Sequence, residues 1–429
     1  MLNLNVIQNK GCKNVSLPNG SHGFQFEVRN PNYRGVQASL IEGIQVLLAG
    51  RSYAADEALW TLQGKTHSLS ELMVSEDARW GLDEVATITV PVERPLPAGV
   101  YPIQITVIIR RPYIPVPYAS SPFKAEAKLV VLEQGKLQQK LSVSTYSYTN
   151  DIYTLMSLED IMAEIADMGA QGIEMLSEGN IHGYPTPSHS WTDNWFTLLD
   201  KYQLTPTNLG SWVDTDMWQH RCLSEDEASA QIQKDLKLAK KLGFSSLRPK
   251  FGVISLDLIP HPVWRKAILN SLDLAEKLNV VICPEIHSPT PIQHPVTQAY
   301  IDLIEETKTE HFKLIIDTGI FQTEPVDMNF DGFELKEGEM RPPFLEPLAV
   351  PVADLKAILP HVHFIQSKFF EIDDNLNDLH VPWQSILSTL NEGGWKGWLS
   401  TEYEGIRRPY QNANQVRRQH ALFSKLANK

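Results

Sequence analysis

Four stretches in the C-terminal part of this 429-residue chain end an apolar run in residues able to hold charge or move protons. Ile282-Cys283-Pro284-Glu285-Ile286-His287 finishes with an acid and an imidazole. Lys313-Leu314-Ile315-Ile316 runs into Asp317, the segment from Val362 carries Gln366 and Lys368, and Ser400-Thr401-Glu402-Tyr403-Glu404 ends in two acids. Side chains alternate faces along a strand, so Glu285 shares a face with His287, Gln366 with Lys368, and Glu402 with Glu404. His361 and His363 lie on the other parity. Carboxylates converging in a desolvated site repel until one is protonated or a cation offsets them. A divalent metal resolves that conflict. Oxygen donors favour magnesium, manganese or calcium over zinc, and Glu285, Asp317, Gln366 and Glu402 suit an octahedral ion with positions left for water or substrate. Manganese or magnesium is therefore the expected cofactor. The ion would polarise a carbonyl or a hydroxyl pair beside a base that moves a proton. His287 is the candidate base, placed with Glu285 and Glu402 in the catalytic centre.

Each residue also has a plainer reading. A single acid at a strand end serves equally as a helix N-cap or an ion-pair partner, and it is the joint pattern that points to function. His287 reads alternatively as a residue that orients substrate. A neutral amide oxygen binds metal less strongly than imidazole or carboxylate, and His363 rivals Gln366 if a bulge shifts the strand register. Lys368 reads as a neutraliser of the acidic mouth or a substrate contact, and Glu404 as a surface partner of Arg407 or Arg408. The loop 181–196, IHGYPTPSHSWTDNWF, mixes aromatic and hydroxyl side chains as a sugar-covering wall would. His182, Trp191, Trp212 and Asp214 join Lys368 as substrate-binding candidates. The stretch from Thr323 to about Val350 is long enough for a lid, and packing between loops and domains is the plainer role of both segments.

These residues need strands to hold them. Apolar segments recur from Leu141 as LSVSTYS, GIEML, LTPTNLG, FSSLRPK, VVICPEIH, FKLIIDTG, VHFIQSKFF and GWLSTEY, each followed by a helix-like stretch. This alternation predicts a (β/α)8 barrel, an α/β fold with chemistry at the C-terminal strand ends; a doubly wound sheet is the alternative. Ser157 with Asp160 and Ser224 with Glu227 read as capping boxes, and Gly169 and Gly243 as stops. Residues 23–134 hold instead short β-rich runs such as GFQFEVR, ATITVPV and YPIQITVIIRR, predicting an all-β antiparallel sandwich or partial barrel. The polar segment from Glu133 to Lys140 separates a first domain, 1–135, from the barrel, 140–429.

Lysine and arginine total 38 against 51 acids, a net charge of -13, which disfavours nucleic acid or an anionic membrane as partner and favours a small polar substrate. The start, MLNLNVIQNKGCKN, lacks the layout of a secretory signal, and no apolar run reaches the roughly 18 residues of a membrane span. A cytoplasmic protein is expected. Cys12, Cys222 and Cys283 are odd in number and lack close spacing, so reduced thiols are expected.

The strand ends resemble the xylose isomerase-like superfamily of sugar isomerases and epimerases, whose metal is held by Glu, Asp, His and Glu. Glu285, Asp317 and Glu402 correspond, while Gln366 stands where the family usually has histidine. Within it, PEIHSPTP (284–291), DTGIFQTEP (317–325) and KFFEID (368–373) resemble the catalytic subunit of C-glycoside deglycosidases. RNPNYRGVQASLIEGIQVLLAG (29–50) and ARWGLDEVATITV (78–90) are similar to the small β subunit of the same enzymes, so both subunits would be fused here. The resemblance implies a 3-oxo-glycoside substrate: the keto group acidifies the C2 proton, His287 removes it, and the aglycone leaves from C1. It also implies association into homo-oligomers. Isomerisation or epimerisation of a free keto-sugar is the neighbouring reading. A glycosidase using two carboxylates directly would stay active in chelator. A non-catalytic carbohydrate-binding protein is the reading from another class, kept open by Gln366.

Overall fold

A computed structural model of the chain describes residues 5–133, 135, 137–252, 257–326, 346–348 and 350–428. In the N-terminal part, alternation decides the architecture. Along Gly99–Arg110, Ile103, Ile105, Val107 and Ile109 are buried while Gln104 and Arg110 are exposed, so one face must be covered. This strand sits between Ser120–Val131 and Ile41–Leu48 in a four-stranded antiparallel sheet that Arg51–Tyr53 completes. A second sheet has the order Lys13–Ser16, His22–Arg29, Val85–Val92, Leu59–Leu62, Lys65–His67. Phe24, Phe26, Trp60, Ile88 and Val90 from this sheet share one core with Ile44, Val46, Ile105 and Val107 from the first. The result is the antiparallel sandwich.

From Lys140 the parallel strands are β1 (Lys140–Ser144), β2 (Gly172–Leu176), β3 (Thr205–Val213), β4 (Ser246–Phe251), β5 (Val281–Ile282 and Glu285–Ile286), β6 (Leu314–Asp317), β7 (Val362–Phe369) and β8 (Trp398–Tyr403). β1 pairs with both β2 and β8, and the first half of β5 pairs with β4 while its second half pairs with β6. The ring therefore closes through a strand broken at Cys283-Pro284. Cys283 donates its N–H to the Leu247 carbonyl at 2.8 Å. Pro284 has no N–H, and its carbonyl accepts from Ile315 at 2.9 Å. Ile282, before the break, already bonds the segment that leads into β6, its N–H donating to the His311 carbonyl at 2.9 Å and its carbonyl accepting from Lys313 at 3.1 Å. This arrangement removes the doubly wound alternative.

Helices between the strands begin and end as expected. Ser157 with Asp160 and Ser224 with Glu227 form reciprocal capping boxes on Leu158–Asp167 and Glu225–Leu242. Gly243 ends the latter at φ +87°, a conformation that costs glycine little.

Two compact units result: Met1–Gly135 with Asp374–Asn377 and Ala413–Lys429, and Lys136–Asp373 with Asp378–Asn412. The first thus takes in most of the last helix, Asn412–Ala427, which the expected barrel range 140–429 had included. Within that unit Asp374 pairs with Lys128 at 2.6 Å and with Arg418 at 3.0 Å. Most of the expected lid, residues 327–345 and 349, lies outside the described residues. Among the described residues no helix is long and apolar enough to cross a membrane.

Candidate active site

β6 ends in Asp317-Thr318-Gly319, and the local chemistry sets the acid's orientation. Asp317 Oδ1 accepts the Gly319 N–H at 2.7 Å, leaving Oδ2 to face the barrel's next strand. A Cβ on residue 319 would come within 2.9 Å of Asp317 Oδ1 and 3.0 Å of Lys368 Cδ, so the absence of a side chain there makes room for the lysine stem. Thr318 Oγ1 donates to the Lys368 carbonyl at 2.9 Å, tying β6 to β7 at the same level. Register does the rest: Asp317 lies opposite Gln366, and Lys368 opposite Glu402.

Lys368 is the centre of the cluster. Its ammonium is 2.7 Å from Asp317 Oδ2, 2.5 Å from Glu404 Oε2, 3.5 Å from Glu402 Oε2 and 2.6 Å from His287 Nε2. Burial opposes its charge, yet Asp317, Glu404 and Glu402 hold its pKa well above the usual lysine range. Glu404 is not the surface partner of Arg407 or Arg408 that its position in the sequence allowed. It faces inward with Glu402, as alternation along β8 requires, and accepts from the Tyr146 hydroxyl at 3.1 Å. Burial raises the Glu404 carboxyl, but Lys368 and His287 outweigh it and bring it down to about 2. Glu402 goes the other way: burial and the neighbouring acids push it well above the carboxylate range despite Lys368, whose charge Glu404 meets more closely. Gln366 Nε2 donates to Glu402 Oε1 at 2.5 Å, while its own Oε1 is buried without a hydrogen-bond partner.

His287 stands at the edge of this centre with 21% of its side-chain surface exposed. Nδ1 bonds the Ser288 carbonyl, which requires it to carry the proton, so Nε2 presents a lone pair to Lys368. Burial, then Lys368 and Lys250, lower the imidazole's pKa and keep it neutral and basic in form. His363, the rival ligand, lies on the opposite parity of β7; burial and Lys313 lower its pKa to about 4.

Glu285 belongs to a second, linked pair. Arg248 Nη1 reaches Glu285 Oε2 at 2.9 Å, with the two side chains 5% and 3% exposed, and Lys250 stands 3.7 Å from the same oxygen. Burial raises the Glu285 carboxyl, but Arg248 and Lys250 drive it far below its usual range. A Cβ on residue 210 would lie 2.7 Å from the Arg248 guanidinium, so Gly210 is the gap through which the arginine passes. Behind them Glu174, fully buried on β2, accepts from Asn208 at 2.9 Å and Ser400 at 2.7 Å. Arg248, Lys250, Glu174 and Tyr146 were missed from the sequence. Arg248 and Lys250 did carry a signal, two co-facial cations at the end of FSSLRPK.

The substrate candidates fall into separate places. Trp212 stacks its ring under Arg248, with 5.8 Å from the guanidinium carbon to the ring centre. His182 packs on Tyr153 at 4.1 Å, and Trp191 stacks on Trp195 at 6.1 Å. Asp214 is exposed just after β3.

A closed parallel barrel with acids from β5, β6 and β8 at one end defines the class: the chain belongs to the xylose isomerase-like TIM barrel family, which residues 162–426 match. Residues 2–113 match the C-glycoside deglycosidase beta subunit family. The 3'-dehydrocarminate deglycosidase alpha subunit of Microbacterium sp. is 26% identical over 318 residues, covering 62% of this chain and 88% of that protein. The C-glycoside deglycosidase beta subunit of Eubacterium cellulosolvens is 29% identical over 111 residues, 26% of this chain and 76% of that protein. Regions similar to two separate subunits are thus joined in one polypeptide. Among solved structures, D-psicose 3-epimerase with D-tagatose from Clostridium cellulolyticum H10 is similar at a TM-score of 0.46 and 12% identity, over 67% of this chain and 97% of that one.

Proposed function

We propose that the chain is a metal-dependent lyase that cleaves 3-oxo-glycosides at the carbon–oxygen or carbon–carbon bond to the aglycone, with residues 1–135 standing for the beta subunit and 140–429 for the alpha subunit. The observation that carries this reading is His287: a neutral imidazole, its tautomer set by Ser288, with its basic nitrogen turned toward a buried cluster of charges and its edge open to solvent. His287 Nε2 takes the proton from C2 of the sugar. The electron pair released is held as an enolate with its charge on the C3 oxygen; as the C3 carbonyl re-forms, the pair makes the C1–C2 double bond, the bond from C1 to the aglycone breaks, and the proton passes to the departing aglycone. Lys368 places positive charge beside the oxyanion that develops at C3. Trp212 would stack on the sugar, with His182, Trp191 and Asp214 as further contacts.

The chemistry of the donors suits a divalent manganese or magnesium ion. They are oxygens only, and Gln366 Oε1 is a buried acceptor with no partner. Glu174, Glu285, Asp317, Glu402 and Glu404 face Arg248, Lys250 and Lys368, leaving acid in excess. Glu285, Asp317, Gln366 and Glu402 would hold the ion, which when bound supplies Lewis-acid stabilisation of the C3 oxyanion.

The test is aglycone release from a 3-oxo C-glycoside and a 3-oxo O-glycoside by metal-loaded and chelator-treated protein, with Glu285→Ala and His287→Ala alongside. Metal-dependent release lost in both variants is the expected result. Solvent deuterium appearing at C2 without release would instead establish a keto-sugar epimerase or isomerase, and neither signal from metal-loaded protein would overturn an enzymatic role.

A further inference from the structure

Lys368 occupies the place where the oxygens converge. Its ammonium lies 2.7 Å from Asp317 Oδ2, 3.5 Å from Glu402 Oε2 and 2.5 Å from Glu404 Oε2, so three carboxylates already share one cation. The same nitrogen donates to the lone pair of His287. Metal and lysine therefore ask for the same oxygen of Asp317, and substrate and lysine for the same nitrogen of His287. Glu404, 2.5 Å from the ammonium, is outside the expected ligand set and offers the lysine a carboxylate that the ion does not use. The lysine's stem is long and unbranched, and Gly319 leaves its path uncrowded.

We infer that Lys368 is a built-in competitor of the divalent ion: its ammonium plugs the carboxylate cluster and masks His287, and metal entry requires it to withdraw from Asp317, which frees the base. This rests on the metal-dependent reading above and adds to it that the ion's affinity is set by a residue that is not a ligand.

Manganese binding to the full chain, measured by electron paramagnetic resonance or isothermal titration calorimetry, tests it. Lys368→Met removes the charge and keeps the stem, and is expected to bind manganese on the order of 100-fold more tightly, because a cation within a few ångströms of the ion no longer opposes it. Lys368→Arg keeps the charge and is expected to stay within a few-fold of wild type. Chelator should leave the melting temperature of wild-type protein almost unchanged and lower that of Lys368→Met, in which Asp317 and Glu404 have lost the ammonium that met them. Circular dichroism confirms that each variant is folded; should Lys368→Met fail to fold, the same tightening is expected of Lys368→Gln. Equal or weaker manganese binding by the folded charge-removing variant, with wild type still binding, would overturn the competition and leave the metal-dependent reading intact. Binding by neither protein would overturn both.

Discussion

Replacing Arg248 by methionine removes the cation from a buried pair and leaves the more distant, half-exposed Lys250 as the nearest positive charge to Glu285. At 2.9 Å and an effective dielectric near 20, the attraction lost is about 6 kcal/mol. Relaxation and partial protonation reduce this to about 3–5 kcal/mol, the usual cost of stranding one member of a buried pair. Glu285→Gln strands Arg248 less severely, since Glu174 and Glu402 still act on it, and should cost about 2 kcal/mol. The double variant R248M/E285Q then loses less than the two single losses combined, with a coupling of about 2 kcal/mol or more. Urea unfolding followed by tryptophan fluorescence measures all four proteins. The dependence on pH has a defined sign. In the wild type the Glu285 pKa lies below its unfolded value, so its contribution is present above about pH 4.5 and fades as pH falls. In R248M burial acts on Glu285 with its nearest counter-charge gone, so the carboxyl pKa is expected to rise and stability to be lost instead as pH rises. The gap between the two proteins should therefore be widest near pH 8 and narrow toward pH 4. Additive losses and a gap independent of pH would refute the assignment of Arg248 as the counter-ion.

Asp378 accepts from the backbone of His380 and Val381 and from Trp383, yet burial raises its pKa from 3.8 to about 7. Its folded pKa exceeds the unfolded one, so stability is greatest below about pH 4 and declines up to about pH 7. Between pH 5 and 7.5 the wild type should lose roughly 2 kcal/mol more than Asp378→Asn, and parallel denaturation profiles would contradict this. Ser224→Ala removes the cap that the Glu227 N–H donates to and should cost about 1 kcal/mol in urea unfolding. Gly319→Ala forces a methyl against Asp317 and Lys368; a loss of about 1–3 kcal/mol is expected, and a neutral result would show that the lysine stem shifts freely.

Periodicity made the elements legible. Alternation along Gly99–Arg110, the capping boxes at Ser157 and Ser224 and the helix stop at Gly243 are local: each depends on residues within a few positions, and the structure has them where the pattern places them. The acids ending β5, β6 and β8 were legible for the same reason, because parity along a strand is a property of neighbours. Only the tertiary structure decided what those acids face. Glu404 reads as a surface residue beside two arginines until β7 brings Lys368 within 2.5 Å of it. Arg248 reads as the end of an apolar strand until Gly210 on β3 opens the gap that lets it reach Glu285. The last helix follows the barrel in sequence, yet most of it groups with the N-terminal unit, where Arg418 meets Asp374. By itself the sequence determined which residues share a face and which carry charge. Which charges meet depends on distances between strands far apart in the chain, and at 2.5–3.5 Å those distances separate a free carboxylate from one already holding a lysine.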